Sequence, residues 1–349
     1  MTSMRAYRIT SWLEPAELVE IAVPEPGPGQ VRVRVAGCGL CHSDLAMGQM
    51  PAEFAEAMGW SVPFTLGHET AGWVDAVGPG VVEWAQGEPV ALASPTSCGS
   101  CRWCRRGMEN ACPAGVAGRG YGRDGGLAEQ VLVDDPGRVL FRLGKLDPKV
   151  AGPLTDAGAT SHHAVRRVLP RVADDGIVVV LGVGGLGAFV VQLLRVLSDA
   201  RVVAIDPNPA RRALALELGA DHVLDGVSAD TSELVREIGA EGSVDGVVDL
   251  VGTDATIGLG ASIVAPGGSL AVVGAAGGTL RRPWHVGLPR DGEVFTFRGS
   301  DLSDARAVID MAEQGLLRVD VEPFSLDDVG AAYSALHAGA LQGRAVVSP

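Results

Sequence analysis

Apolar positions follow two different rhythms along the chain. Through the first 150 residues they come in short bursts, Val31–Ala36, Gly72–Val77 and Glu129–Val133 among them, cut by Gly/Pro-rich turns. That pattern predicts an irregular, mostly β domain. From about Gly176, apolar runs alternate with helix-period segments: Ile177–Leu181, Leu186–Leu197, Arg201–Ile205, Ala210–Leu218, Val244–Leu250 and Ser269–Val273. Strand and helix in alternation predict a parallel, helix-covered sheet. Beyond Val294 come a helix-like run, Ser303–Gln314, a strand at Val319–Phe324, a short helix and a last strand at Arg344–Val347. No internal repeat or low-complexity linker interrupts this order.

The span from Ile177 to Leu194 is apolar enough to raise the question of a membrane helix. Its glycines at 182, 184, 185 and 187, with Gln192, fit a buried strand, a glycine turn and a helix better. A length of 349 residues suits two domains with cores that need no disulfide staples. Hydrophobic residues at 47%, charged residues at 20% and 48 glycines describe a turn-rich globular α/β protein, not a disordered one. A net charge of −14 repels phosphate backbones and anionic headgroups, so neither nucleic acid nor a membrane surface is expected as a partner. The opening MTSMRAYRIT carries no apolar signal core, and the expected location is cytoplasmic.

Gly182-Val-Gly184-Gly185-Leu186-Gly187 follows a strand pattern and opens a helix pattern, the setting in which such a run cradles a pyrophosphate at a helix N-terminus. Asp206 closes the next strand pattern, 24 residues after Gly182, where a carboxylate accepts hydrogen bonds from both ribose hydroxyls and repels a 2′-phosphate. NAD is therefore expected over NADP; the bland alternative is a core turn plus a surface aspartate. Arg211 and Arg212 can hold a 2′-phosphate or form a solvated helix face, and Arg211 is kept as a candidate cofactor contact.

All six cysteines lie in the first 112 residues. Cys98, Cys101, Cys104 and Cys112, so closely spaced in a reducing compartment, read as a tetrahedral structural zinc site. Neighbouring Arg102, Arg105 and Arg106 can offset its charge. A second group is dispersed: Cys41-His-Ser43-Asp44, Gly67-His68-Glu69 and Asp156. Taken singly, each has an ordinary explanation, a core cysteine or histidine, or for Asp156 a helix cap.

Together, GCGLCHSD, LGHETAGWVDAVGPGV and the four-cysteine lobe, in that order ahead of LGVGGLG, make the chain similar to the zinc-dependent medium-chain alcohol dehydrogenases over almost its whole length. Within the family, PLTDAGAT most resembles the bacterial secondary-alcohol dehydrogenases. The resemblance implies an α/β fold: a GroES-like, mostly-β catalytic domain over 1–155, to which the tail 295–349 returns, and a Rossmann doubly wound parallel-sheet domain for NAD over 156–294. It implies two zinc ions per chain, a small alcohol or carbonyl substrate, and a homotetramer or homodimer. The catalytic-zinc roles fall on Cys41 and His68, with Asp156 where many relatives have a second cysteine. Glu69 matches the carboxylate beside the metal, Asp44 the group that orients the ligating histidine, and Ser43 the hydroxyl that touches the alcohol oxygen and begins a proton relay. Many relatives end that relay with a histidine where this chain has Ala46.

The implied chemistry is hydride transfer between NAD(H) and an alcohol or carbonyl carbon, with zinc as Lewis acid. The resemblance to the secondary-alcohol dehydrogenases, together with small Ala46 and the apolar 50–64 segment, suggests a pocket for a carbinol bearing two carbon substituents; the interval between Cys41 and His68 contains Phe54, Met58 and Trp60. Two other classes remain: a reductase of activated C=C bonds in which the catalytic zinc is absent or a bystander, and a cofactor-binding protein without turnover. The complete Cys/His/Asp set and Ser43 weigh against both. Cys38 is read as packing, His162 and His163 as pocket lining or helix surface, and Arg298 as either near the nicotinamide or on the surface.

Overall fold

The computed structural model describes residues 2–94, 97–115, 117–239, 243–283, 285 and 287–349. They form two compact units, Met1–Ala159 with Gly299–Pro349, and Thr160–Arg298.

The first unit is mostly β. Its main sheet runs in the order Leu140–Arg142, Pro89–Leu92, Glu69–Val77, Val31–Gly39, Arg344–Ser348 and Val321–Ser325, with Gln130–Val133 also paired to Val31–Gly39. Alternation explains Val31–Gly39: Val31, Val33 and Val35 are buried while Arg34 faces out, its guanidinium over the Trp73 ring at 4.4 Å. The C-terminal strand is part of this sheet, pairing Val346 with Gly39 and Val347 with Cys38. A three-stranded sheet, Glu17–Ala22, Ser3–Ile9 and Phe64–Thr65, and a two-stranded one, Gly118–Arg119 with Gly122–Arg123, belong to the same unit.

The second unit is a six-stranded parallel sheet. Its order is His222–Leu224, Arg201–Ile205, Ile177–Leu181, Val244–Asp249, Val264–Val272 and Glu293–Thr296. Ile177–Leu181 is buried along its whole length, as a central parallel strand must be. In chain order the first strand of this sheet, Ile177–Leu181, lies beside the fourth, Val244–Asp249, so the order reverses there, and crevices at the carboxyl ends of such a reversal bind dinucleotides. The expected final Rossmann strand, Ser269–Val273, begins earlier, at Val264, because the strand follows directly on the helix Asp254–Ile263 and its pairing shifts register between Val244 and Gly246. The apolar 177–194 span is a strand, a turn and the start of the helix Gly185–Leu197, and no described helix is long and apolar enough to cross a membrane.

Candidate active site

Cys41 stands at the N-cap of a short helix, His42–Gly48, whose third residue is Asp44. Asp44 is buried and serves three partners: its Oδ2 accepts the Cys41 N–H at 3.0 Å and the Tyr333 hydroxyl at 3.0 Å, and its Oδ1 lies 3.1 Å from His68 Nδ1. Among the described residues, neither of those last two buried atoms has another partner. A carboxylate there favours the proton on Nδ1, which leaves the Nε2 lone pair for a ligand. Nε2 faces Asp156 Oδ2 at 3.5 Å, and one donor atom each from Cys41, His68 and Asp156 fall within 4.8 Å of one another. One sulfur, one imidazole nitrogen and one carboxylate oxygen make the three-ligand set of an open zinc site, so the chemistry of the donors fits the metal.

Glu69, next to His68, is fully buried. Its carboxylate is gripped by the buried Arg344, Nε to Oε2 at 3.0 Å and Nη2 to Oε1, and Oε1 also accepts the Ala157 N–H at 3.2 Å. Burial raises the Glu69 carboxyl pKa, and the Arg344 charge opposes that rise. Sequence reasoning found Glu69 but missed Arg344. The signal was available: a lone arginine opens the apolar run RAVV, and a buried guanidinium requires a carboxylate.

Two tyrosines were also missed. Tyr333 holds Asp44, and Tyr121 lies 2.9 Å from Ser43 Oγ and 3.3 Å from His68 Nε2. Trp60 is buried near Tyr121 and Phe64, whereas Phe54 is 64% exposed and Ala46 is exposed. Cys38 packs beside Thr70, its Sγ 3.6 Å from the hydroxyl, and burial pushes its thiol up to about 12.

The four-cysteine lobe is equally well formed. None of its cysteines is in a disulfide, and the Sγ separations for Cys101–Cys104, Cys98–Cys104 and Cys101–Cys112 are 3.6, 3.9 and 4.0 Å. Four thiolates about 2.3 Å from a tetrahedral zinc sit about 3.8 Å apart, so the cage fits. Backbone N–H groups of Cys101, Cys104 and Cys98 point at the sulfurs of Cys98, Cys101 and Cys112. Hydrogen bonds from Ser100 and Cys101 lower the Cys98 thiol to about 6, while burial pushes Cys104 up to about 12. Arg102 and Arg106 place their guanidiniums over Trp103, at 4.6 and 5.6 Å.

In the second unit, Gly182 has φ +89°, and a Cβ there would meet Val251 at 2.7 Å. A Cβ on Gly187 would meet the Gly182 carbonyl at 2.1 Å, whereas one on Gly184 would meet nothing within 4 Å. The turn is thus tight where strand meets helix and open at the helix N-cap, as a bound pyrophosphate requires. Gly185 opens the helix, and Leu186 takes the Ser161 hydroxyl on its carbonyl at 2.9 Å. Asp206 follows the strand Arg201–Ile205 and is buried; Oδ2 accepts the Val183 N–H and Oδ1 the Asn208 N–H, each at 2.8 Å. Each oxygen keeps a second lone pair for a ribose hydroxyl. Arg211 Nη1 stands 4.0 Å from Asp206 Oδ2, while Arg212 is engaged by Asp225 at 2.7 Å and by the Asp206 and Pro207 carbonyls. His162 and His163 are both buried, not on a solvated face; His163 packs on Phe297 at 4.6 Å, and Arg298 is exposed.

A doubly wound sheet with this glycine turn and strand-end carboxylate, in one chain with a Cys/His/Asp donor set, defines a nicotinamide-dependent dehydrogenase with a metal site. Residues 27–143 match the alcohol dehydrogenase GroES-like domain, and residues 185–314 match the zinc-binding dehydrogenase domain. An NAD-dependent alcohol dehydrogenase of Sulfurisphaera tokodaii is 32% identical, with 99% of this chain and 100% of that one covered. The D-arabinose 1-dehydrogenase (NADP(+)) of Saccharolobus solfataricus is 30% identical over 100% and 99%. The crystal structure of the Aeropyrum pernix alcohol dehydrogenase superposes with a TM-score of 0.89 at 31% identity, covering 99% of this chain and 100% of that one. The chain belongs to the zinc-binding alcohol dehydrogenase family, oxidoreductases that act on CH–OH groups.

Proposed function

We propose that this protein interconverts a small secondary alcohol and its ketone, using NAD(H) and two zinc ions per chain. The observation that carries the reading is the convergence of Cys41, His68 and Asp156 within 4.8 Å, with Asp44 behind His68. In this reading those three residues hold the catalytic zinc, and Cys98, Cys101, Cys104 and Cys112 hold the structural one. A bound zinc supplies Lewis acidity at the substrate oxygen, and a bound nicotinamide accepts or donates the hydride. Ser43 contacts the substrate oxygen and passes its proton onward. Asp44 fixes the His68 tautomer, and Tyr333 and the Cys41 N–H fix Asp44. Arg344 holds Glu69 against the donor set, so that its charge stays paired when it is not near the metal.

Gly182, Gly184, Gly185, Leu186 and Gly187 receive the pyrophosphate, and Asp206 the adenosine ribose. Arg211 beside Asp206 lessens the repulsion of a 2′-phosphate, so the preference for NAD is a matter of degree, in keeping with the NADP named for one relative. The family resemblance supports a homodimer or homotetramer, and we place the protein in the cytoplasm.

The test is a panel of primary and secondary alcohols and their carbonyls, assayed after zinc loading with NAD(H) and NADP(H). Turnover of 2-butanol and butanone with NAD(H) favoured is the expected result. Reduction of activated C=C bonds alone, or no turnover by zinc-loaded protein, overturns the reading.

A further inference from the structure

Ser43 is not the only hydroxyl at the donor set. The Tyr121 phenol oxygen lies 2.9 Å from Ser43 Oγ and 3.3 Å from His68 Nε2, the nitrogen that also faces Asp156. Its ring packs 4.7 Å from the His68 imidazole and 6.0 Å from Trp60. The turn that delivers it is wedged in place. Gly120 and Gly122 both adopt left-handed φ, +75° and +76°. A Cβ on Gly120 would meet the Gly67 backbone at 2.9 Å, and one on Gly122 would meet Trp60 at 2.7 Å. Gly118 and Tyr121 exchange backbone N–H···O bonds of 2.8 Å in both directions. A phenol on so short and crowded a turn stays at the donor set.

We propose that Tyr121 is a specificity-determining residue that binds a second substrate oxygen, on the carbon next to the reacting one, so that the site takes vicinal diols and α-hydroxy ketones in preference to simple alcohols. This rests on the reading that Cys41, His68 and Asp156 surround the reacting oxygen. An oxygen arriving there comes within reach of Ser43 and breaks into the Ser43–Tyr121 hydrogen bond. Ser43 then turns to the substrate, and the phenol, held by its turn, is left with the 3.3 Å contact to His68 Nε2, the nitrogen whose lone pair a metal in the donor set would take. A part-buried hydroxyl deprived of a hydrogen bond costs free energy, and an oxygen on the adjacent carbon restores the bond. The two protein hydroxyls stand at hydrogen-bonding separation, the spacing that two gauche oxygens on neighbouring carbons also have. Sites built to bond a hydroxyl reject analogues lacking it far more strongly than apolar pockets reject an added one. Because Tyr121 is only partly buried, water softens the penalty, and the expected discrimination is about ten- to hundredfold.

The experiment compares 2,3-butanediol with 2-butanol, which share a carbon skeleton and differ by the second hydroxyl, on zinc-loaded wild type and Tyr121→Phe. Wild type should favour the diol by about tenfold or more in kcat/KM, and the variant should lose most of that margin, chiefly through a raised KM for the diol. Calorimetric titration of the diol into both proteins gives a readout independent of turnover and should show the same weakening. Equal rates on the two substrates by wild type overturn the proposal without recourse to any variant. So does an equal loss on both substrates by Tyr121→Phe, which would reduce Tyr121 to a support for Ser43 or His68. In each of these cases 2-butanol is still oxidised by wild type and the proposed function stands; no turnover of either substrate by wild type overturns both.

Discussion

Glu69 and Arg344 show how much of the site depends on single buried charges. Both are buried, and each is the other's main compensation. Removing one partner of such a pair leaves an unpaired charge in low dielectric, so Arg344→Leu should cost about 3–5 kcal/mol in urea denaturation. Glu69→Gln with Arg344→Met should recover most of that loss; if the double variant is no more stable than the single one, the pairing is not the cause. Asp156 is a different case. Its carboxylate supplies one negative charge to the donor set, which a thiolate also supplies and an amide does not. Asp156→Cys should retain the catalytic zinc and Asp156→Asn should lose it, as read by metal analysis. A helix cap predicts the reverse order, because asparagine caps about as well as aspartate. The candidate ligands were legible because their spacing and residue types carry chemistry. Tyr121 and Tyr333 were not, since their roles come from contacts 78 and 289 residues away in sequence; Arg344 carried a signal, a lone charge in an apolar run, but its partner Glu69 lies 275 residues away.

Among the elements, the parallel sheet was the easiest to read, because strands buried on both faces appear as unbroken apolar runs. Ile177–Leu181 and Arg201–Ile205 have the expected bounds. The first unit was harder: its alternation marks strands but not partners, so the pairing of Arg344–Ser348 with Val31–Gly39 required the structure. Strand ends also bury ionisable groups. Asp249 closes Val244–Asp249 fully buried, with Oδ1 accepting the Val251 and Gly252 N–H groups at 2.9 Å each. Burial raises its pKa, and the backbone bonds only partly offset this. The native state therefore binds this proton more tightly than the unfolded chain does. The resulting penalty is absent below the unfolded pKa, grows as pH rises through the folded value, and is constant above it. Asp249→Asn keeps an acceptor for both N–H groups and removes the charge. It should raise Tm by about 2–4 °C at pH 7 and by clearly less at pH 4. An equal effect at both pH values would show that charge burial is not responsible.

For the whole molecule, both proposed metal sets fall in the unit that carries the mostly-β sheet, but they are built on opposite principles. The four-cysteine lobe supplies every ligand a tetrahedral zinc can take, and backbone N–H groups of Cys98, Cys101 and Cys104 hold its sulfurs in place. It is also tied to the C-terminal segment, where the Asn110 N–H is accepted by Asp301 at 2.9 Å. The Cys41, His68 and Asp156 set would supply three ligands and leave a fourth position open to substrate, which a chelator could also enter. The two ions should therefore leave in sequence. Purified protein should contain two zinc ions per chain. Treatment with a small chelator should remove the first together with activity while the far-UV circular dichroism and Tm stay nearly constant. The second should leave only under harsher treatment, with a fall in Tm, because metal binding to a thiolate cage is part of the folding free energy of the lobe. Readdition of zinc after the first stage should restore turnover, and replacing Asp156 with asparagine should abolish the first stage while leaving the second intact. Loss of both ions in a single step, or activity that survives removal of the first, would show that the two donor sets do not divide the work between an exchangeable site and a closed one.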